Sequence, residues 1–188
     1  MIDHNATPDD AASIGDAVIE LLISERMLLD TPNSECVLNG VGYPPGPRLS
    51  EIYNFADREL AFWSELTVNG VKVHAERYVN FFAFPVFEHA ICPACKTLFS
   101  DDESVMDQLY DCVGHFINDD RLNSLRCPKC SVPTRCDHWT TKPDVGLSYL
   151  GIEFWNWAPL SHSGWTLSIP ELISNRLGRT MSNGWGKL

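Results

Sequence analysis

An α+β fold, a single compact domain with an antiparallel or mixed sheet, is what this sequence predicts, and three observations lead to it. Apolar residues recur at helical spacing in separate stretches, around 14–22 and 105–116. Short β-favouring runs bounded by Gly, Pro and Asn lie between and after them. Two Cys-Pro-x-Cys pairs stand at Cys92 and Cys95 and at Cys127 and Cys130, the signature of a zinc ribbon embedded in the chain. With 188 residues, 44% hydrophobic and 21% charged, the chain has the material for a real core.

The first helix is expected from near Pro8 through Ala11 to Leu29, because Ile14, Ala17, Val18, Leu21 and Leu22 repeat at three and four residues. The segment 31–50 is crowded with Gly and Pro, as an ordered loop with tight turns would be. A second helix is expected over Ile52–Leu66. Asn69-Gly70, set between two β-favouring runs, signals a hairpin whose turn needs positive φ. A strand over Tyr78–Phe87 then leads toward Cys92. Val105, Leu109, Cys112 or Val113, and Phe116 mark a helix from about Asp102 to Asn118, with Ser100 and Glu103 as its capping box. Val145–Trp157 reads as one strand covered on both faces. Ser168-Ile169-Pro170-Glu171 opens a helix to Leu177 that Gly178 stops, and Arg179–Leu188 reads as a final strand. The organisation is an acidic helical part, 1–66, and an α+β part, 67–188, with the ribbon at 89–138.

Two thiolates separated by two residues grip one metal ion from a tight turn, and two such turns complete a tetrahedron, so one structural zinc ion is expected on Cys92, Cys95, Cys127 and Cys130. The 31 residues between the pairs exceed the usual ribbon interval, and the helix at 102–118 accounts for the excess as an insertion. Lys96, Lys129, Arg126 and Arg135 lie close in sequence and would offset the thiolate charge. Cys136 or His138, and less so His89, are substitute ligands. Cys36 and Cys112 are expected as buried thiols. In the cytoplasm, the compartment expected from an N-terminus without a basic, apolar signal segment, seven cysteines read as ligands and thiols and not as a disulfide framework.

Catalytic machinery is not evident. Cys136-Asp137-His138 lacks the remote His that cysteine hydrolases use, no HExxH motif opens a catalytic zinc site, and no GxxxxGKS/T loop cradles phosphate. The expectation is therefore a non-enzymatic protein, with no catalytic residues. Glu153, inside an apolar strand, is expected to pair with Arg179 or Lys187, or else to act as an acid or base.

The net charge of −11 disfavours nucleic acid as partner of the whole chain and favours a basic protein. Residues 1–66 hold 12 acids and three bases, so the acidity sits there. No apolar run is long enough to cross a membrane. Trp155 and Trp157 would share one face of a strand and serve either as core or as anchors for a partner. The expected function is capture of another protein through an acidic surface, in concrete form a bacterial immunity protein that occludes a basic toxin. The alternatives are a nucleic-acid or transcription-associated ribbon using Lys96, Arg121, Arg126, Lys129 and Arg135, and a zinc-dependent hydrolase or redox sensor.

Cys36-Val37-Leu38-Asn39-Gly40, the Gly42–Pro47 loop, Asn69-Gly70, both CPxC pairs, Phe154–Leu160 and Gly186-Lys187-Leu188 together resemble a family of small bacterial zinc-ribbon proteins, some labelled sugar-transporter ATPases. The resemblance spans roughly residues 36–188. It implies a zinc role for Cys92, Cys95, Cys127 and Cys130, and no activity. Lys96 and Ser131 stand where such ribbons often carry Gly.

Overall fold

A computed structural model describes residues 1–54, 66–81, 87–100, 102–119 and 124–183. In chain order the elements are α1 (Ala11–Ser24), α2 (Leu49–Ile52), β1 (Gly70–His74), β2 (Tyr78–Phe81), β3 (His89–Ile91), β4 (Leu98–Ser100), α3 (Glu103–Asp119), β5 (Ser124–Arg126), β6 (Pro133–Arg135), β7 (Thr140–Lys142), β8 (Val145–Ser148), β9 (Gly151–Trp155) and α4 (Ile169–Leu177). Every named strand pair is antiparallel, and the α+β class holds. None of the described helices is long and apolar enough to cross a membrane.

The chain divides into two compact units, Met1–Glu76 with Tyr149–Trp185, and Arg77–Ser148 with the three C-terminal residues. This differs from a division at residue 66, and sheet pairing is the reason. β9 returns to pair with β1 in the register Val71↔Phe154 and Val73↔Ile152, which binds the chain after 149 to the N-terminal segment. The expected single strand Val145–Trp157 is accordingly two. β8 pairs with β2, Tyr149-Leu150 interrupts, and β9 pairs elsewhere.

In the first unit, α1 lays Ile14, Val18, Ile19 and Leu22 against Val71, Leu150 and Ile152, with Ile169 and Ile173 of α4 in the same core. α1 ends at Ser24, short of Leu29, because Arg26 turns into the left-handed region at φ 58° and Met27 and Leu28 leave the helix to enter the core. Arg48 bridges to Glu25, and Arg179 reaches the fully buried Asp3 and the partly exposed Asp10, each at 3.3 Å. Ser168 caps α4 by accepting from the Glu171 N–H, and Gly178 closes it at φ 64°. Beyond it, Ser182 bridges Ile2, and no strand forms among the described residues of 179–183. The expected helix Ile52–Leu66 is met only by α2 at its start, and residues 55–65 lie outside those described.

The Asn69-Gly70 hairpin does not form. Gly70 is the first residue of β1, opposite Trp155, and a Cβ there would lie 2.8 Å from both Cys36 Sγ and Tyr43 O. The glycine serves close approach by the Cys36 loop instead of a turn, and both demands select the same residue.

The second unit holds β3 between β4 and β7, the pair β2–β8, and the hairpin β5–β6, with α3 packed on β2, β3 and β5. Val105, Leu109 and Phe116 line the buried face of α3, as the periodicity predicts. Its cap is Asp102, whose Oδ1 accepts from the Val105 N–H at 3.2 Å, because Ser100 is held in β4 opposite His89. Of the expected strand Tyr78–Phe87 the first four residues form β2, and 82–86 lie outside the described residues.

Candidate metal centre

Two hairpins of the same design present the four cysteines. In the first, β3 and β4 pair through Ile91↔Leu98 and the turn between them carries Cys92 and Cys95. In the second, Arg126↔Pro133 closes β5 and β6 around Cys127 and Cys130. In each turn the residue after the second cysteine donates back to the first cysteine's carbonyl, Lys96 N to Cys92 O at 2.9 Å and Ser131 N to Cys127 O at 2.8 Å. Lys96 and Ser131 both take left-handed backbone, φ 59° and 60°, so the knuckle geometry forms without the glycine common at this position. A left-handed L-residue costs about 1–2 kcal/mol, partly offset by glycine's greater freedom when unfolded. Ser131→Gly is therefore expected to raise metal-loaded stability by about 0.5–1 kcal/mol in urea titration; a lowered midpoint would contradict this.

The four sulfur atoms lie within 4.8 Å of one another. Cys95 and Cys127 are 3.7 Å apart and Cys92 and Cys130 4.0 Å apart. A tetrahedron with metal–sulfur bonds of about 2.3 Å has edges of about 3.8 Å, so the thiols fit one four-coordinate ion. Each knuckle contributes one buried sulfur residue, Cys92 or Cys127, and one half-buried, Cys95 or Cys130. A four-coordinate ion held by all four thiols would join the two knuckles and have no position left for a substrate or water.

Without metal the thiols are unequal. Hydrogen bonding from the Thr97 hydroxyl, 3.2 Å from Cys95 Sγ, and then from the Thr97 N–H brings the Cys95 thiol down to about 6. At Cys130 the Val132 N–H pulls downward, but desolvation and the neighbouring Cys127, Cys95 and Cys92 sulfurs carry it up to about 11. The metal-free cluster therefore favours the thiolate at Cys95 over Cys130. In metal-free protein, iodoacetamide is expected to label Cys95 ahead of Cys130, and a rate that falls as pH drops below about 6 identifies it; labelling of Cys130 first would refute the assignment.

The other expected site residues separate. Lys96, Lys129, Arg126 and Arg135 are all exposed around the knuckles; Arg126 donates to Ser131 O at 2.9 Å, and Arg135 pairs with Asp137 at 2.6 Å. His89 lies in β3 opposite Ser100 and Lys142, and His138 is exposed in the 3-10 turn Cys136–His138, so neither joins the cluster. Cys136 is no ligand either. It forms a disulfide with Cys112, which corrects both the all-thiol expectation and the reading of Cys112 as a buried free thiol. The cause is tertiary: the inward face of α3 brings Cys112 to the exit of β6, across 24 residues of sequence. Parity permitted the pair, since four ligands leave three cysteines, but no spacing rule pointed to it. Cys36 remains a buried free thiol, raised by that burial.

Trp155 and Trp157 do not share a face. β9 ends at Trp155, Asn156 takes φ 55°, and Trp157 turns into the core at 6% exposure against Phe154 and Trp165. Trp155 stays half-buried and donates through Nε1 to Glu153 at 3.0 Å. Glu153 meets His74 at 3.1 Å, whereas Arg179, one of its two expected partners, is drawn to Asp3 and Asp10, and the other, Lys187, lies outside the described residues.

No protein-family model matches the chain, and no match was found among curated proteins or solved structures. The class that the structure itself defines is an α+β protein with a four-cysteine cluster positioned to hold a metal ion.

Proposed function

We propose that this is a non-enzymatic zinc protein that captures a basic protein partner through its first unit, in concrete form an immunity protein occluding a cationic toxin domain. The closed four-thiol cluster carries the first half of this reading, because a site with no open position suits a structural ion, and thiolate ligands at about tetrahedral spacing suit zinc. The second half rests on charge and exposure. The first unit holds 15 acids against six bases. Asp9, Asp16, Glu20, Asp30, Glu35 and Glu51 are exposed, and Leu29, Leu38 and Val41 are open to solvent at 45%, 46% and 60% in the same stretch as Asp30 and Glu35. Exposed apolar side chains within an acidic surround suit a partner that is basic at its rim and apolar at its centre, and such a field speeds encounter.

The test is affinity capture with the immobilised chain, followed by the triple variant Asp30→Asn, Glu35→Gln, Leu38→Ser. A basic protein retained at low salt by the parent and reduced at least about tenfold by the variant supports the reading. Equal retention by both would reject it. Tight, salt-dependent binding of DNA or RNA at about 50 mM salt would instead favour the knuckle bases Lys96 and Lys129 as the working surface.

A further inference from the structure

The Cys112–Cys136 disulfide and the four-thiol cluster belong to the same unit and interleave along the chain. The loop that the disulfide closes contains the whole second knuckle, both Cys127 and Cys130, while the first knuckle lies outside it. The β5–β6 hairpin that bears the second knuckle pairs with no other strand among the described residues. Among the described residues it is held by α3 packed against β5, the cluster at its tip, the Trp139 indole donating to Thr134 of β6, and the disulfide one residue beyond β6.

We propose that the disulfide and the metal site are positively coupled: the crosslink preorganises the second knuckle for metal, and bound metal shields the crosslink from thiol reductants. The inference rests on the metal reading above. In a reduced, metal-free chain, binding must draw Cys127 and Cys130 to Cys92 and Cys95 across the 31 residues between the pairs. The crosslink ties the exit of the second knuckle to the middle of that insert, so part of the ordering entropy is already removed before metal binds. Coupling between two equilibria is reciprocal, so metal stabilises the crosslinked fold to the same degree.

Reduction by glutathione makes the second half concrete. One glutathione thiolate attacks a sulfur of the Cys112–Cys136 bond, forming a mixed disulfide and releasing the other sulfur, which takes up a proton. A second glutathione displaces the remaining cysteine and leaves as glutathione disulfide, so the protein gains two electrons and two protons. The attack needs access along the S–S axis, and Cys112 and Cys136 are 1% and 5% exposed. Reduction therefore proceeds through opening of this unit, which a metal bridging both knuckles suppresses.

The full chain, purified without reductant, is denatured with chelator and alkylated. Five labelled cysteines are expected, and seven only after reduction. Glutathione reduction of the native protein is then followed by the same assay in zinc-loaded and chelator-stripped samples. Stripping is expected to accelerate reduction about tenfold or more. Labelling of Cys36, buried in the other unit, is expected to change less than about twofold, which separates local opening from global unfolding. The Cys112→Ser, Cys136→Ser double variant is expected to bind zinc about threefold or more weakly in chelator competition. Should that variant fail to fold, the wild-type reduction rates carry the test. Seven labelled cysteines without reduction, equal rates with and without zinc, or Cys36 exposure rising in step with reduction would each overturn the proposal. One zinc per chain with equal rates sinks the coupling alone, whereas no zinc at all sinks the metal reading with it.

Discussion

Cys92→Ser and Cys127→Ser are each expected to abolish metal retention and unfold the second unit. Both residues are fully buried members of the four-thiol cluster, one from each knuckle, so either change leaves three thiols and an open side to the cluster. Structural zinc contributes on the order of 10–16 kcal/mol to folding in small metal domains at pH 7, as much as or more than the whole stability of a typical domain. The loss is therefore expected to show as unfolding of residues 77–148 and not as a small shift in midpoint. Metal analysis of the purified variant, and hydrogen exchange across those residues, provide the check. A variant with parental metal content and parental protection would contradict the structural role. Exchange in α1 and α4 is expected to change less, because their shared core of Val18, Leu22, Ile169 and Ile173 lies in the other unit.

Trp157→Ala is expected to cost about 3–5 kcal/mol, the range for emptying a buried aromatic site, and Trp155→Ala about 1 kcal/mol or less. The two residues are neighbours but one in sequence and differ in kind. Trp157 is packed between Phe154, with ring centroids 5.1 Å apart, and Trp165, at 6.0 Å, inside the first unit's core. Among the described residues its Nε1 has no hydrogen-bond partner, so its contribution rests on packed volume. Trp155 is half-buried, and its removal takes away one hydrogen bond to Glu153. Urea unfolding of the two variants separates them, and equal losses would refute the assignment of Trp157 to the core.

Local rules carried much of the architecture. The α3 periodicity, the Ser168 cap and the Gly178 stop of α4 each involve residues within a few positions of one another, and each appears where the pattern places it. The rules failed where a local signal had two physical meanings. Asn69-Gly70 satisfies a turn and also permits the approach of Cys36 and Tyr43; the second use prevailed. Val145–Trp157 is apolar at both alternating sets of positions, yet it serves two sheets, since such a pattern reports burial and not the identity of the covering strand.

The candidate site divides in the same way. Cys92, Cys95, Cys127 and Cys130 were legible because each pair is a self-contained turn whose spacing alone brings two sulfurs together. The meeting of the two pairs at 3.7 and 4.0 Å depends on how α3 and the hairpins pack, as does the crosslink between Cys112 and Cys136. Sequence by itself thus determined the α+β class, the four cysteines of the cluster and the concentration of acidity in residues 1–66, since these follow from composition and short-range spacing. Only the tertiary structure decided that β9 belongs with β1, that Trp157 is core, that Glu153 faces His74 and that two cysteines are joined. Those outcomes depend on which distant segments occupy the same space, and short-range periodicity carries no record of that.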